Sequence, residues 1–363
     1  MKMVSIAVLV AGLAGAASGI DLTYLKTIDI SSFSSSSTAA NYIGSNPSAV
    51  AWDGQDLYVG GYNQAGAAAP TAINRVSAAL NVSSLGATSF GAISTPNSRG
   101  LTSLAVRGGV LAAGLDSGAG NGDSVRAFNV TLTSPTLNWR IGTVDTTRRG
   151  DGVAFDPGFN GAGTNQGVAY LSIGGGRRHL LNTTTGAYIN GQNAGAIINF
   201  NPVSTVFRDL AFDPATGDLY TRESNRVGKA VRSGDNSFSG GGSTYIVSAN
   251  ANGSIDNENI EFVNSPNQGN FVLYNDRSSV AGGQAFTNVV KAISTSGASL
   301  PLNLIGFSAL DGNGAYDFSY NAASNTLAVS DFSNRQVYLF GVPTPGTLGL
   351  LGIAGIAAGR RRR

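Results

Sequence analysis

Asp209 and Asp317 open "DLAFDPATGDLY" and "DFSYNAASNTLAV", two stretches of one recurring pattern; Ala49, Ser103 and Gly152 hold the same place in three others. A charge where the pattern otherwise has a small residue invites chemistry. Two nearby carboxylates either share a proton or attract a cation. Arg208 could balance them or hold an anionic group. With Asp151, which stands at Arg208's place in another copy, these make one candidate binding set: Asp151, Arg208, Asp209 and Asp317. A second candidate is "LDGNGAYDF", where Asp311, Asn313 and Asp317 place oxygens around flexible glycines, as calcium requires. It lacks the bidentate Glu, and an Asx-turn explains it equally well. Residues 116–123 and 256–259 offer sparser versions. "GGGRRHLL" (174–181) could cradle an anion through backbone N–H groups, Arg177 and Arg178, but no helix is expected after it, as a phosphate loop requires. His179 has no partner His or Cys, and no G-x-S-x-G accompanies it. The Arg-Gly-Asp at 149–151 is read as a loop before a strand.

Composition narrows the choices. The 363 residues include 50 Gly, only 12% charged residues and no Cys, so disulfides and Cys-based metal sites are excluded. One His excludes any site needing two. Lys2 and Arg360–Arg363 carry more positive charge than the net +2, leaving a mildly acidic body. Nucleic acid, which needs a basic patch, is not an expected partner. Abundant Gly, Ser and Asn favour turns and short strands over helices.

The elements that must position the carboxylates come from an internal repeat. "AVAWDGQDLYVGG", "SLAVRGGVLAAGL", "GVAFDPGFNGAGTNQGVAYLSIG", "DLAFDPATGDLYTRES" and "DFSYNAASNTLAVSDF" each read as strand, turn and strand, a β-hairpin. Trp52, Val106, Phe155, Phe212 and Tyr320 mark the same place, at intervals near 50 residues except for a last gap of about two periods. A degenerate copy is therefore expected at 260–290, where "NFVLYND" offers strand material. Six such units predict an all-β, six-bladed β-propeller over residues 20–342. A β-sandwich or two smaller β domains is the alternative. Ser48, Ser103, Asp151, Arg208 with Asp209, and Asp317 would lie just before the first strands, near one mouth of the channel. Asp21–Ile30 is expected to pair with the blade holding Arg335–Val342, closing the ring. "LAFDPATGDLY" resembles NHL-type and lactonase-like propeller repeats, a likeness that brings no catalytic residues with it.

The ends speak to location. Lys2, the apolar run Val4–Leu13 and Ala14-Gly15-Ala16 read as a signal peptide over residues 1–19. Residues 343–363 read "PTPGTLGLLGIAGIAAGRRRR", a short apolar helix followed by four arginines that would stay on the cytoplasmic side. Pro343, Pro345, the Gly/Leu/Ala run and the Arg cluster resemble the PEP-CTERM sorting domain of Gram-negative bacteria. Thr344 stands where that family has Glu. The resemblance implies an exosortase-type sorting enzyme as partner, with Pro343, Thr344, Pro345 and Arg360, Arg361, Arg362 and Arg363 as the signal. It further implies transient anchoring in the inner membrane and a cell-surface or extracellular destination. A plain membrane anchor is the alternative. Together these features predict an exported binding or structural module of the envelope or matrix, with no cofactor specified by the sequence and calcium as the candidate. The competing reading is a propeller enzyme, a lactonase-like or glycan-acting hydrolase or lyase.

Overall fold

The computed structural model of the chain describes residues 19–63, 69–77, 87–94, 99–116, 125–141, 150–162, 166–172, 177–189, 207–223, 226–235, 237–239, 244–247, 259–276, 289–307 and 314–343. The leader through residue 18, Asp311, Asn313 and the tail from Thr344, with the helix expected there, lie outside that description.

Six antiparallel meanders surround one axis, and the first strand of each lies innermost. Blade one is Asn46–Trp52, Asp56–Tyr62, Ala72–Ser77 and Ala87–Ala92; blade two is Leu101–Arg107, Val110–Leu115, Val125–Asn129 and Thr136–Ile141. Blade three has three described strands, Gly150–Asp156, Gly167–Ser172 and Arg177–Leu181. Blade four is Phe207–Phe212, Leu219–Glu223, Arg226–Ala230 and Thr244–Val247; blade five is Ile260–Ser265, Gly269–Asn275, Val290–Ser294 and Ser299–Leu300. Blade six joins Ala315–Asn321, Thr326–Asp331 and Gln336–Gly341 to the N-terminal strand Ile20–Asp29. Each inner strand touches the next, and the sixth touches the first. The expected degenerate copy is blade five.

Closure follows the expected pairing. Ile20–Asp29 runs antiparallel to Gln336–Gly341, with Tyr24 opposite Phe340 and Ile28 opposite Val337. An additional strand, Leu302–Ile305, lies parallel on its outer side, Leu22 opposite Leu304. Blade six is thus made from both ends of the body, which closes the ring.

The hydrophobic core is divided into six layers, one between each pair of adjacent blades. Strand alternation explains the division. In Ala49-Val50-Ala51-Trp52, Val50 and Trp52 pack toward blade six, while Ala49 and Ala51 pack toward blade two. The same four-residue frame recurs as Ser103–Val106, Gly152–Phe155, Asp209–Phe212, Asn259–Phe262 and Asp317–Tyr320. Near the axis space is tight, so first and third positions are small where they face the bulky second and fourth positions of the next blade. Gly152 shows how tight: a Cβ there would stand 2.7 Å from the Asp209 Cα. Asp156, at the end of the inner strand of blade three, and Arg232, just after the third strand of blade four, form a buried ion pair.

Candidate functional site

The frame places the candidate residues inside the inner strands, which corrects the expectation that they precede them. The ladder slips at Ser48, Thr102, Asp151, Arg208 and Tyr316–Asp317, so five of the six inner strands bulge at a common place. The blade-five ladder runs without a slip. A bulge re-aims the side chain that follows it. Here it turns the first frame position toward the neighbouring blade.

That orientation gives the polar frame residues a definite task. Asp317 Oδ2 accepts the Val50 N–H at 2.7 Å, and its Oδ1 accepts the Phe318 N–H at 2.9 Å. Asp209 Oδ2 accepts the Ile260 N–H at 3.0 Å, and Ser103 Oγ accepts the Val153 N–H at 3.2 Å. From third positions, Ser319 Oγ accepts the Trp52 N–H at 2.9 Å, and the Glu261 carboxylate accepts the Tyr320 N–H. Inner strands have a free edge facing the axis, and its buried amides need acceptors. These side chains supply them across the blade boundary. The charge at 209 and 317, which has no packing role by sequence, serves as a latch.

The same carboxylates also converge. Asp209, Glu261 and Asp317 come from blades four, five and six and line one cavity of about 330 Å³ on the axis. Burial pushes the Asp317 carboxyl well above its usual range, and Asp209 and Glu261 push it further. Glu261 is likewise raised by burial and then by Asp209, despite two backbone N–H groups that favour its ionised form. Tyr320 is pushed up to about 12 by burial and by the Glu261 charge. The cluster therefore holds protons that separate carboxylates would release. Among the described residues, no three acidic or His side chains are grouped closely enough to hold a metal ion.

Above Asp209 and Asp317, the third positions Ala105, Ala154 and Ala211, level with Glu261, leave the cavity wide, and the fourth positions form its rim. Five of the six are aromatic: Trp52, Phe155, Phe212, Phe262 and Tyr320, with Val106 completing the ring. Most of each ring is packed between blades, while Phe155, Tyr320 and Val106 remain half-buried. Arg107, Pro214, Asn264, Asn321 and Ala322, from the inner hairpins, surround the opening. The result is a funnel with apolar walls and an acidic floor, open at the inner-hairpin face.

Of the candidate set, Asp209 and Asp317 meet in this funnel. Arg208, at the bulge, is not among the residues lining it. Asp151 holds the equivalent bulge in blade three, and its side chain lies outside the described residues, as do those of Arg177, Arg178 and His179. His179 stands in the third strand of blade three opposite Tyr170; a strand, not a helix, follows the triple glycine. Asp317 belongs to the funnel floor, whereas its partners in the calcium reading, Asp311 and Asn313, lie outside the description. Pro343, the first residue of the sorting signal, accepts a hydrogen bond at its carbonyl from Gln268 Nε2 at 3.1 Å. Glu261 is the site residue that sequence reading missed. Its signal was "NIEF", which matches "DLAF" once the fourth-position aromatic is aligned.

Among solved structures, the chain is similar to an auxiliary nutrient binding protein from Bacteroides thetaiotaomicron. The identity is 9% and the TM-score 0.52, over 82% of this chain and 69% of that one. It is also similar to the β-propeller domain of Cps50 (Swd1) from Myceliophteria thermophila, at 10% identity and a TM-score of 0.46, over 82% and 84% of the two chains. At 9% identity the first likeness bears on the fold alone. No family model and no curated protein matches the sequence.

Proposed function

We propose that this chain is an exported, surface-sorted binding module that takes a small ligand into the axial funnel. The observation that carries the reading is the funnel itself. Half-buried aromatic and apolar groups stand at its rim, and three carboxylates from successive blades form its floor, two of them, Glu261 and Asp317, with raised pKa values. A concave apolar site with a few convergent polar groups is the usual form of a small-molecule site. The rim suits the flat face of a sugar or ring, and the floor suits a hydroxyl or an amine. The nutrient-binding role named for the Bacteroides protein agrees with this reading. Export, sorting through Pro343–Pro345 and the four arginines, and a place in the envelope or matrix rest on the two end sequences.

A thermal-shift panel tests the binding reading, using neutral monosaccharides, amino sugars, spermidine and calcium chloride as probes. At least one class should raise the Tm of the wild type, and Glu261→Gln should remove the effect. A panel without a stabilising compound, or one whose effect survives that substitution, would overturn it.

A hydrolase or lyase is the second reading. It is favoured by Glu261, whose raised pKa suits a general acid beside the Asp209 carboxylate. Turnover of a lactone or glycan that vanishes in Glu261→Gln without loss of binding would select it.

A further inference from the structure

Both ends of the described chain leave from the face where the funnel opens. Val342 N–H donates to the Asn325 carbonyl at 3.0 Å, and Asn325 belongs to the inner hairpin of blade six, whose Asn321 and Ala322 border the opening. Gln268, in the corresponding hairpin of blade five, joins the two ends. Its Oε1 accepts the Asp21 N–H at 2.8 Å; its Nε2 donates to the Asp21 carbonyl at 2.9 Å and to the Pro343 carbonyl at 3.1 Å. Only Thr344, Pro345 and Gly346 separate this fixed point from the apolar run beginning at Thr347. At about 3.4 Å per residue, that tether spans roughly 10–14 Å.

A second observation is independent of the termini. The large apolar side chains left exposed among the described residues are Leu25 (52%), Leu132 (52%), Leu137 (50%) and Val231 (45%). All four lie toward the same face. Leu25 follows Tyr24, which pairs with Phe340 and through it stands level with Leu327 and Tyr320. Leu137 pairs with Phe128, level with Leu111 and Val106, and Leu132 lies in the turn before it. Val231 follows Ala230, which pairs with Leu219 beside the inner hairpin of blade four. They come from the outer parts of blades two, four and six, spaced around the funnel.

We propose that this face lies against the lipid bilayer entered by the C-terminal segment, so that the funnel opens toward the membrane. The proposal rests on the reading of that segment as membrane-inserted before sorting. A tether this short keeps the face near the bilayer surface, and the ring of exposed apolar side chains gives that surface something to bury. Ligands would then reach the funnel through the gap between blades and membrane.

The absence of native Cys allows a direct test in the full chain, produced in a bacterium lacking a sorting enzyme. Leu132→Cys and Ala322→Cys report on the funnel face; Ser333→Cys reports on the exposed turn at the opposite end of blade six. Each is treated in spheroplasts with a 5 kDa polyethylene-glycol maleimide and normalised to labelling after denaturation. The expected result is at least tenfold slower labelling at 132 and 322 than at 333. Equal rates in membrane-bound protein would overturn the orientation while leaving the anchor intact. A chain recovered entirely in the soluble fraction would overturn both.

Discussion

Leu22 puts a number on ring closure. It is fully buried in the N-terminal strand, in the layer between blades five and six with Val263, Phe271 and Phe340. Leu22→Ala removes three carbons from a site walled on both sides by strands, where little can collapse inward, so a loss of about 3–4 kcal/mol is expected. At about 2.1 cal/mol/K per residue, a body of this size has a melting entropy near 0.7 kcal/mol/K, and Tm should fall by about 4–6 °C. Leu25, three residues on, is half-exposed in the same strand. Leu25→Ala should change stability by no more than about 0.5 kcal/mol, or under 1 °C. Differential scanning calorimetry of the two variants beside the wild type decides the matter. If Leu22→Ala melts with the wild type, or no lower than Leu25→Ala, the strand does not close the ring.

Other expectations concern the axis and its latches. Glu261 and Asp317 have raised folded-state pKa values, so the folded protein binds extra protons. Their contribution is fully present below the ordinary carboxylate pKa of about 4 and is lost as pH rises through the raised values. Glu261→Gln should therefore gain stability relative to wild type between pH 4.5 and 8, read from urea midpoints; a pH-independent difference would contradict the shared-proton cluster. Gly152→Ala should cost about 1–3 kcal/mol by urea denaturation, because its Cβ meets the Asp209 backbone. A neutral result would mean blades three and four have room to part. Arg232→Met leaves Asp156 charged and buried, and about 3–5 kcal/mol should be lost in the same assay; a loss below 1 kcal/mol would show the pair to be dispensable.

Much of the architecture was legible because a propeller writes itself as a repeat. Small first and third positions and bulky second and fourth positions are a packing rule near an axis, and "AVAW", "SLAV" and "GVAF" display it openly. Ring closure was legible too, since Asp21–Ile30 had alternation but no partner nearby in sequence. Blade five was harder to see, because Glu261 stands where the pattern has Ala or Ser, and the strand material that stood out, "NFVLYND", is the second strand of the blade. The bulges were invisible: nothing in the composition around Ser48 or Arg208 announces a slipped ladder. For that reason the polar residues were placed before the strands instead of within them. The latching role of Asp209 and Asp317 was also out of reach. It depends on an amide of another blade, 51 residues away for Asp209 and 267 for Asp317. Sequence could identify the unusual charge but not the donor it serves.

The most direct test of the funnel as a ligand site is a crystal structure with the compound that gives the largest thermal shift. The compound should lie on the axis, its body against Phe155 and Tyr320 and a donor group within about 3.2 Å of Glu261. A compound found elsewhere, such as in the polar cleft beside Arg75 and Thr133, with only water in the funnel, would contradict the binding role assigned to the carboxylate floor.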